Sequence, residues 1–440
     1  MTTQPSMEPD GRAAAIAVVK KLRAKGHEAH FAGGCVRDEL LGLEPGDFDV
    51  ATDATPDRLT KMFRAARLVG AQFGVVQIRS MGVWTEVATF RSDGVYSDRR
   101  RPDDVSFGDA QADAERRDFT INALFLDPLA EEADWTTRPG GGRVAGRVID
   151  LVGGLADLSA GIVRAVGDPH RRLAEDHLRA LRAVRFAARL GFEIDPQTAH
   201  AIAEHARELE GVSRERIGGE LRRMLAHGSR RRAAAMLEQL GLDGPMLEAP
   251  AIGAGRAHPR LGALPADART MVSLAAWLLD RGKGGESEQV RPLVHQVRRA
   301  LCLSNDESAI LSACLARRLE VLAGYEEMGK ARQKRLAASA GFREALAVIR
   351  AEDPGLERGV AERVEALAAE PGGLAPDRWV TGDDLISLGW RPGPGFARVL
   401  EDLYDLQLAG EAPDRASLLE HLAAMGVEPD GSEPDPGNDP

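Results

Sequence analysis

The chain has 440 residues, 43% of them hydrophobic and 28% charged, enough for several domains with buried cores and outside the range of fibrous, collagenous or wholly disordered proteins. Its net charge of −11, from 57 basic and 68 acidic residues, by itself speaks against a nucleic-acid binder. Cys35, Cys302 and Cys314 make neither a disulfide framework nor a zinc-spaced set, the first residues lack a secretory leader, and no run of about 18 apolar residues could span a bilayer, so a reducing, cytoplasmic location is expected.

Residues 10–25 open with Asp10, carry spaced apolar positions and close at Gly26, the pattern of a helix. His30-Phe31-Ala32 reads as a strand entering a Gly33-Gly34 turn, and CVRDELLG as one or two helical turns. DFDVAT (47–52) reads as a strand, and Thr55-Pro56 as the cap and first position of a helix. GVVQIRS and TEVATFR alternate around Met81-Gly82-Val83, a hairpin signal. Residues 91–116 are polar with little periodicity and read as a mobile loop, and 131–147 hold a Gly-rich insertion. From about 155 to 370 the pattern is helical, interrupted at 249–266 and 281–288; 379–425 form another helical module, and 427–440, with four prolines, five acids and no base, an unstructured tail.

Asp47 and Asp49 flank Phe48 on the expected strand. Alternation points both carboxylates to one face, where they can hold hard Mg²⁺ ions and leave positions open for phosphate. Two such ions about 4 Å apart align an attacking hydroxyl with a leaving pyrophosphate. Glu86, on a later strand, is a candidate third carboxylate. Taken alone, D-x-D more often marks a solvated turn. Just upstream, Gly33 and Gly34 permit close backbone approach to a phosphate, and Arg37 can fork onto one.

FAGGCVRDELLGLEPGDFDVATDATPDRLTKMF resembles the first motif of the class II tRNA nucleotidyltransferase and bacterial poly(A) polymerase family, and the resemblance continues in order through ERRDFTINAL (115–124), DLVGGLADL (150–158), AEDHLRALRAVRFAARLGF (174–192) and RERIGGEL (214–221). It implies an α+β fold: a small mixed-β, polymerase-β-like nucleotidyltransferase head (1–155), then an all-α neck (156–248), body (249–378) and tail (379–426).

Arg117 and Asp118 could be a surface ion pair; the resemblance implies that Arg117 holds triphosphate and Asp118 contacts ribose. On a continuous helix Asp176, Arg179 and Arg182 share a surface, with Arg185 at its edge. An acceptor beside a fork of donors can address the edge of a base. An ion-paired helix face explains the same spacing. By resemblance, Asp176 and Arg179 read CTP and ATP without a template, and Arg182 and Arg185 support them.

The implied reaction is addition of C, C and A to the tRNA 3′ end, with Mg²⁺ as cofactor and pyrophosphate released. Poly(A) polymerase, an enzyme adding A alone, and a non-catalytic RNA-binding relative are the alternatives. Residues 69–76 (VGAQFGVV) lack the basic pair usual in family poly(A) polymerases, the C-terminus is acidic, and the retained YSDRRRPDDV fits addition of CCA or of A better than of CC alone. Residues 380–410 are similar to the C-terminal segment of bacterial tRNA nucleotidyltransferases, and no His-Asp pair supports a phosphohydrolase domain. Residues 160–232 hold 15 Arg against 10 acids, so the charge objection dissolves locally: this stretch suits an RNA backbone, with Arg222-Arg223 and Arg230-Arg231-Arg232 as candidate phosphate contacts.

Overall fold

The computed structural model describes residues 10–69, 74–93, 105–253 and 255–424. Two units, Met1–Arg256 and Ala257–Pro440, each bury their own apolar residues. In the first, α1 (Gly11–Arg23) starts where the Asp10 carboxylate accepts the Ala13 amide. Ala14, Ala15, Val18, Val19 and Leu22 recur at helical spacing and are buried. Then come β1 (Ala29–Ala32), buried at all four residues, α2 (Gly34–Leu40), β2 (Val50–Thr52), α3 (Pro56–Met62), β3 (Ala66–Leu68), β4 (Val75–Ser80) and β5 (Val83–Thr89). Met81 and Gly82 turn the β4–β5 hairpin, both at positive φ, as a tight two-residue hairpin requires.

The expected strand over 47–52 is shorter. Gly33 turns the chain out of β1 after Ala32, so the Ala32 N–H to Asp49 carbonyl bond (3.0 Å) is the last link, and residues 47 and 48 have no ladder partner. The expected loop 91–116 also contains regular structure. β6 (Arg91–Asp93) pairs antiparallel with β7 (Val105–Phe107), and α4 (Ala110–Glu115) starts where Asp109 accepts the Ala112 amide at 2.9 Å. Three-residue strands are too short to show alternation, which is why this region reads as loop. Residues 94–104, with YSDRRRPDD, and 70–73, within the segment expected to separate the two polymerase types, lie outside the described residues, as does the acidic tail.

β8 (Phe125–Asp127) and β9 (Arg147–Ile149), the latter after the Gly-rich insertion, complete a seven-stranded sheet in the order β3-β4-β5-β2-β1-β8-β9. β2 and β5 run parallel with Val50 opposite Val87; every other neighbouring pair is antiparallel. Ala32, Ala51, Phe90, Ala114, Phe125 and Val166 form one apolar cluster that fixes α4 against this sheet.

Helices then take over: α5 (Gly154–Ala160), α6 (Pro169–Glu175), α7 (Leu178–Leu190), α8 (Pro196–Glu204), α9 (Arg214–Leu225) and α10 (Arg230–Gln239). One small parallel pair, Ile162–Val163 with Glu193–Ile194, interrupts them, too short for any periodic signal. The second unit is helical from Pro259–Ala263 to Arg415–Ala424. Trp277 and Tyr325 are among its largest fully buried side chains, and Leu385, Trp390, Leu403 and Leu418 belong to a cluster near its C-terminal end. No described helix is long and apolar enough to cross a membrane.

Candidate active site

Gly33 stands at φ +78°, ψ −126°, a conformation that L side chains rarely adopt. A Cβ there would lie 2.9 Å from Nη1 of Arg117, so the missing side chain also admits that guanidinium. Arg117 donates to Asp113 Oδ2 from Nε (3.1 Å) and Nη2 (2.9 Å) and to the Asn122 carbonyl from Nη1 (3.1 Å). Arg37, nearly buried, donates to Asp38 at 2.9 and 2.7 Å and to Asn122 Oδ1 at 2.5 Å.

Both flanking aspartates face the same space, while the Phe48 ring packs 5.4 Å from that of Phe31. Neither Asp47 nor Asp49 has an ion-pair partner among the described residues. Burial, then the charges of Asp47 and Glu86, push the Asp49 carboxyl up to about 7 against the pull of Arg117. Uncompensated carboxylate oxygens of this kind fit a hard divalent cation. Glu86 does not join them. It is exposed on β5, accepts from Gln77 Nε2 at 3.2 Å and does not line the cavity. The parallel register sets Val87 beside Val50, and the charge of Glu86 reaches Asp49. Among the described residues no three acids, histidines or cysteines gather into a metal cluster. The Cys35 thiol also lines the cavity, but burial, then Asp49, push it up to about 12, so it stays protonated near neutrality.

Asp176 is not on a continuous helix. It lies at φ −156° between α6 and α7, and its Oδ1 accepts the Leu178 amide at 3.1 Å. A short acidic side chain that bonds a nearby amide competes with the helix, which spacing alone does not register. Its Oδ2 accepts from Nη2 of Arg216, on α9, at 2.5 Å. Arg179, Arg182 and Arg185 all lie on α7, each braced by an acid: Glu175 at 2.6 Å, Asp118 at 2.6 Å and Glu220 at 2.6 Å. Burial works to raise the Asp118 carboxyl, but Arg182, with the Asn122 amide and Arg179, holds it down at about 2. The Phe186 ring lies 5.0, 5.3 and 4.2 Å from the Arg37, Arg182 and Arg185 guanidinium carbons, a shared apolar support.

One cavity of about 590 Å³ brings together Gly33, Gly34, Arg37, Asp47, Asp49, Arg117, Asp118, Asp176, Arg179, Arg182 and Arg185, leaving out Glu86 among the expected residues. Arg116, Asn122, Phe186 and Arg189 also line it, and seven arginines outnumber five aspartates, a balance that suits a polyanion once a cation joins Asp47 and Asp49. All four lie inside the quoted motifs, Arg189 four residues after Arg185 on α7.

Residues 29–164 match the model of the poly A polymerase head domain, and 191–251 that of a probable RNA and SrmB-binding site of polymerase A. The chain is 34% identical to the CCA-adding enzyme of Lacticaseibacillus paracasei over 423 residues, covering 94% of this chain and 96% of that protein. Identity is also 34% to the CCA-adding enzyme of Limosilactobacillus fermentum over 410 residues, or 91% and 94% of the two chains. Among solved structures, the Bacillus stearothermophilus CCA-adding enzyme in complex with CTP is similar at a TM-score of 0.74 and 28% identity, over 95% of this chain and 99% of that one.

Proposed function

Because the chain belongs to the class II tRNA nucleotidyltransferase and bacterial poly(A) polymerase family, and is a nucleotidyltransferase, we propose that it adds C, C and A to the 3′ end of tRNA in the cavity built around Asp47, Asp49 and Arg117. The observation that carries this reading is the convergence in one cavity of two carboxylates without an ion-pair partner among the described residues, a row of arginines, and Asp176 with Arg179. Asp47 and Asp49 would hold Mg²⁺, which supplies the charge neutralisation that lets a 3′-hydroxyl approach a triphosphate. The hydroxyl attacks the α-phosphate of CTP, twice, and then of ATP; the bond to the β-phosphate breaks and pyrophosphate leaves.

Arg117 forks onto the triphosphate beside the Gly33–Gly34 backbone. Arg37, committed to Asp38 and Asn122, acts on it by charge and by fixing Asn122. Asp118 contacts the ribose, Asp176 and Arg179 address the base edge, and Arg182 and Arg185 complete the positive wall. Glu86 contributes charge only. On this reading 1–155 is the catalytic head, 156–248 the neck that reads base and RNA, 249–378 the body and 379–426 the tail, working in the cytoplasm.

Purified protein with Mg²⁺, CTP and ATP, offered tRNA lacking its last three nucleotides, should return a product three nucleotides longer ending in C-C-A. A long A ladder on generic RNA would instead mark a poly(A) polymerase, A alone on tRNA ending in CC the specialised enzyme, and binding without incorporation a non-catalytic relative. Asp47→Ala should remove incorporation and keep tRNA binding.

A further inference from the structure

Asp113 does not line the cavity, yet it touches two residues that do. Its carboxylate, 1% exposed, is shared between two arginines: Oδ1 accepts from Arg116 Nε at 2.9 Å and Nη2 at 2.6 Å, and Oδ2 from Arg117 Nε and Nη2 at 3.1 and 2.9 Å. With the Asn122 carbonyl on Nη1, three of the five N–H bonds of Arg117 are spent on holding its plane, and two remain to be directed.

The support is rigid. Ala114, the next residue, is fully buried in the cluster of Phe90 and Phe125, the Arg117 guanidinium lies 5.1 Å from the Phe125 ring, and Asp109 caps α4. The same short helix also meets the base-reading side. The Glu115 carbonyl accepts from Arg172 Nη2 at 2.5 Å, and the Arg116 carbonyl from Arg179 Nη2 at 3.3 Å. Stability alone does not account for such a carboxylate, since buried ion pairs are often no more stabilising than apolar residues of the same volume. Fixed geometry does, because a guanidinium held in one plane loses less freedom when a phosphate binds.

We infer that Asp113 is the positioning residue that aims the Arg117 guanidinium at the triphosphate. The inference rests on the assignment of Arg117 to that triphosphate. It extends the nucleotide site beyond the residues that line it, to a buried group that never touches substrate.

The test is a double-mutant cycle read in KM for CTP and ATP, with direct CTP binding alongside. Asp113→Asn should raise KM for both nucleotides about tenfold, with the loss falling on KM more than on kcat and with KM for tRNA unmoved. In an Arg117→Ala background the same change should add less than about twofold, whereas a general loss of stability would add in full. Asp113→Glu, which keeps the charge, should recover part of the affinity, and it replaces the amide variant in the cycle if that variant does not fold. Unchanged nucleotide KM in Asp113→Asn beside a raised KM in Arg117→Ala overturns the inference and leaves the site assignment intact. An unchanged KM in Arg117→Ala overturns both.

Discussion

Arg182 Nη2 lies 2.6 Å from Asp118 Oδ2, joining helix α7 to the segment that precedes β8. The Asp118 Oδ1 meanwhile accepts the Phe119 amide at 2.8 Å and Asn122 Nδ2 at 3.1 Å. One buried carboxylate thus ties α7 to the segment between α4 and β8.

Removing that charge leaves Arg182 without its acid. Asp118→Asn is expected to cost about 3 kcal/mol of stability, measured by urea unfolding at pH 7. The pH dependence follows from the sign of the shift. A carboxyl held at about 2 in the folded chain and near 4 when unfolded contributes stability that is complete above the unfolded value and is lost as pH falls toward 2. Wild type should therefore lose ground to Asp118→Asn between about pH 4 and 2; a constant gap over that interval would contradict the assignment.

Gly33→Ala should be costly for two reasons. Its φ of +78° disfavours any side chain, and the new Cβ would sit 2.9 Å from an arginine that Asp113 and the Asn122 carbonyl hold in place. A loss of about 1–2 kcal/mol in stability is expected, together with a higher KM for both nucleotides. Thermal melts and steady-state kinetics on the same preparation check both.

With Mg²⁺ held at Asp49, as proposed above, its binding should depend on pH. Its carboxyl, pushed up to about 7, keeps its proton where a free aspartate has lost it, so below pH 7 the cation must displace that proton. Without metal, the folded chain loses the stabilising contribution of the protonated form as pH rises from about 4 to 7. Calorimetric titration should give Mg²⁺ affinity about tenfold weaker at pH 6 than at pH 8. Asp49→Asn should remove that slope. Asp47→Asn should move it to lower pH by taking away a neighbouring charge.

Base choice is tested at Asp176 and at the arginine that orients it. Asp176→Ala should relax discrimination between CTP and ATP more than it weakens Mg²⁺ binding. Arg216→Ala, which frees Oδ2, should do the same to a smaller degree, about threefold to tenfold. Misincorporation counted on tRNA lacking its CCA end is the measurement, and unchanged selectivity in Asp176→Ala would remove its role.

Local chemistry made much of this protein legible from its sequence. Glycines in a strand-to-helix turn, alternating Asp47 and Asp49, and the arginines of α7 are short-range patterns, and their order along the chain carried the family resemblance and the α+β fold. Helix α1 and the β4–β5 hairpin were equally visible, through 3.6-residue spacing and turn residues. What tertiary structure alone decided is which charges meet. Arg216 reaches Asp176 across 40 residues, Arg182 reaches Asp118 across 64, and Arg185 reaches Glu220 across 35, distances at which no periodicity survives. Strand order decided the fate of Glu86: the parallel β2–β5 pairing brings its charge to Asp49 while its side chain stays exposed, outside the cavity. The kink at Asp176 was hidden for the opposite reason. The Asp176 side chain, bonded to the Leu178 amide, competes with the helical spacing around it, and only the folded backbone shows the break.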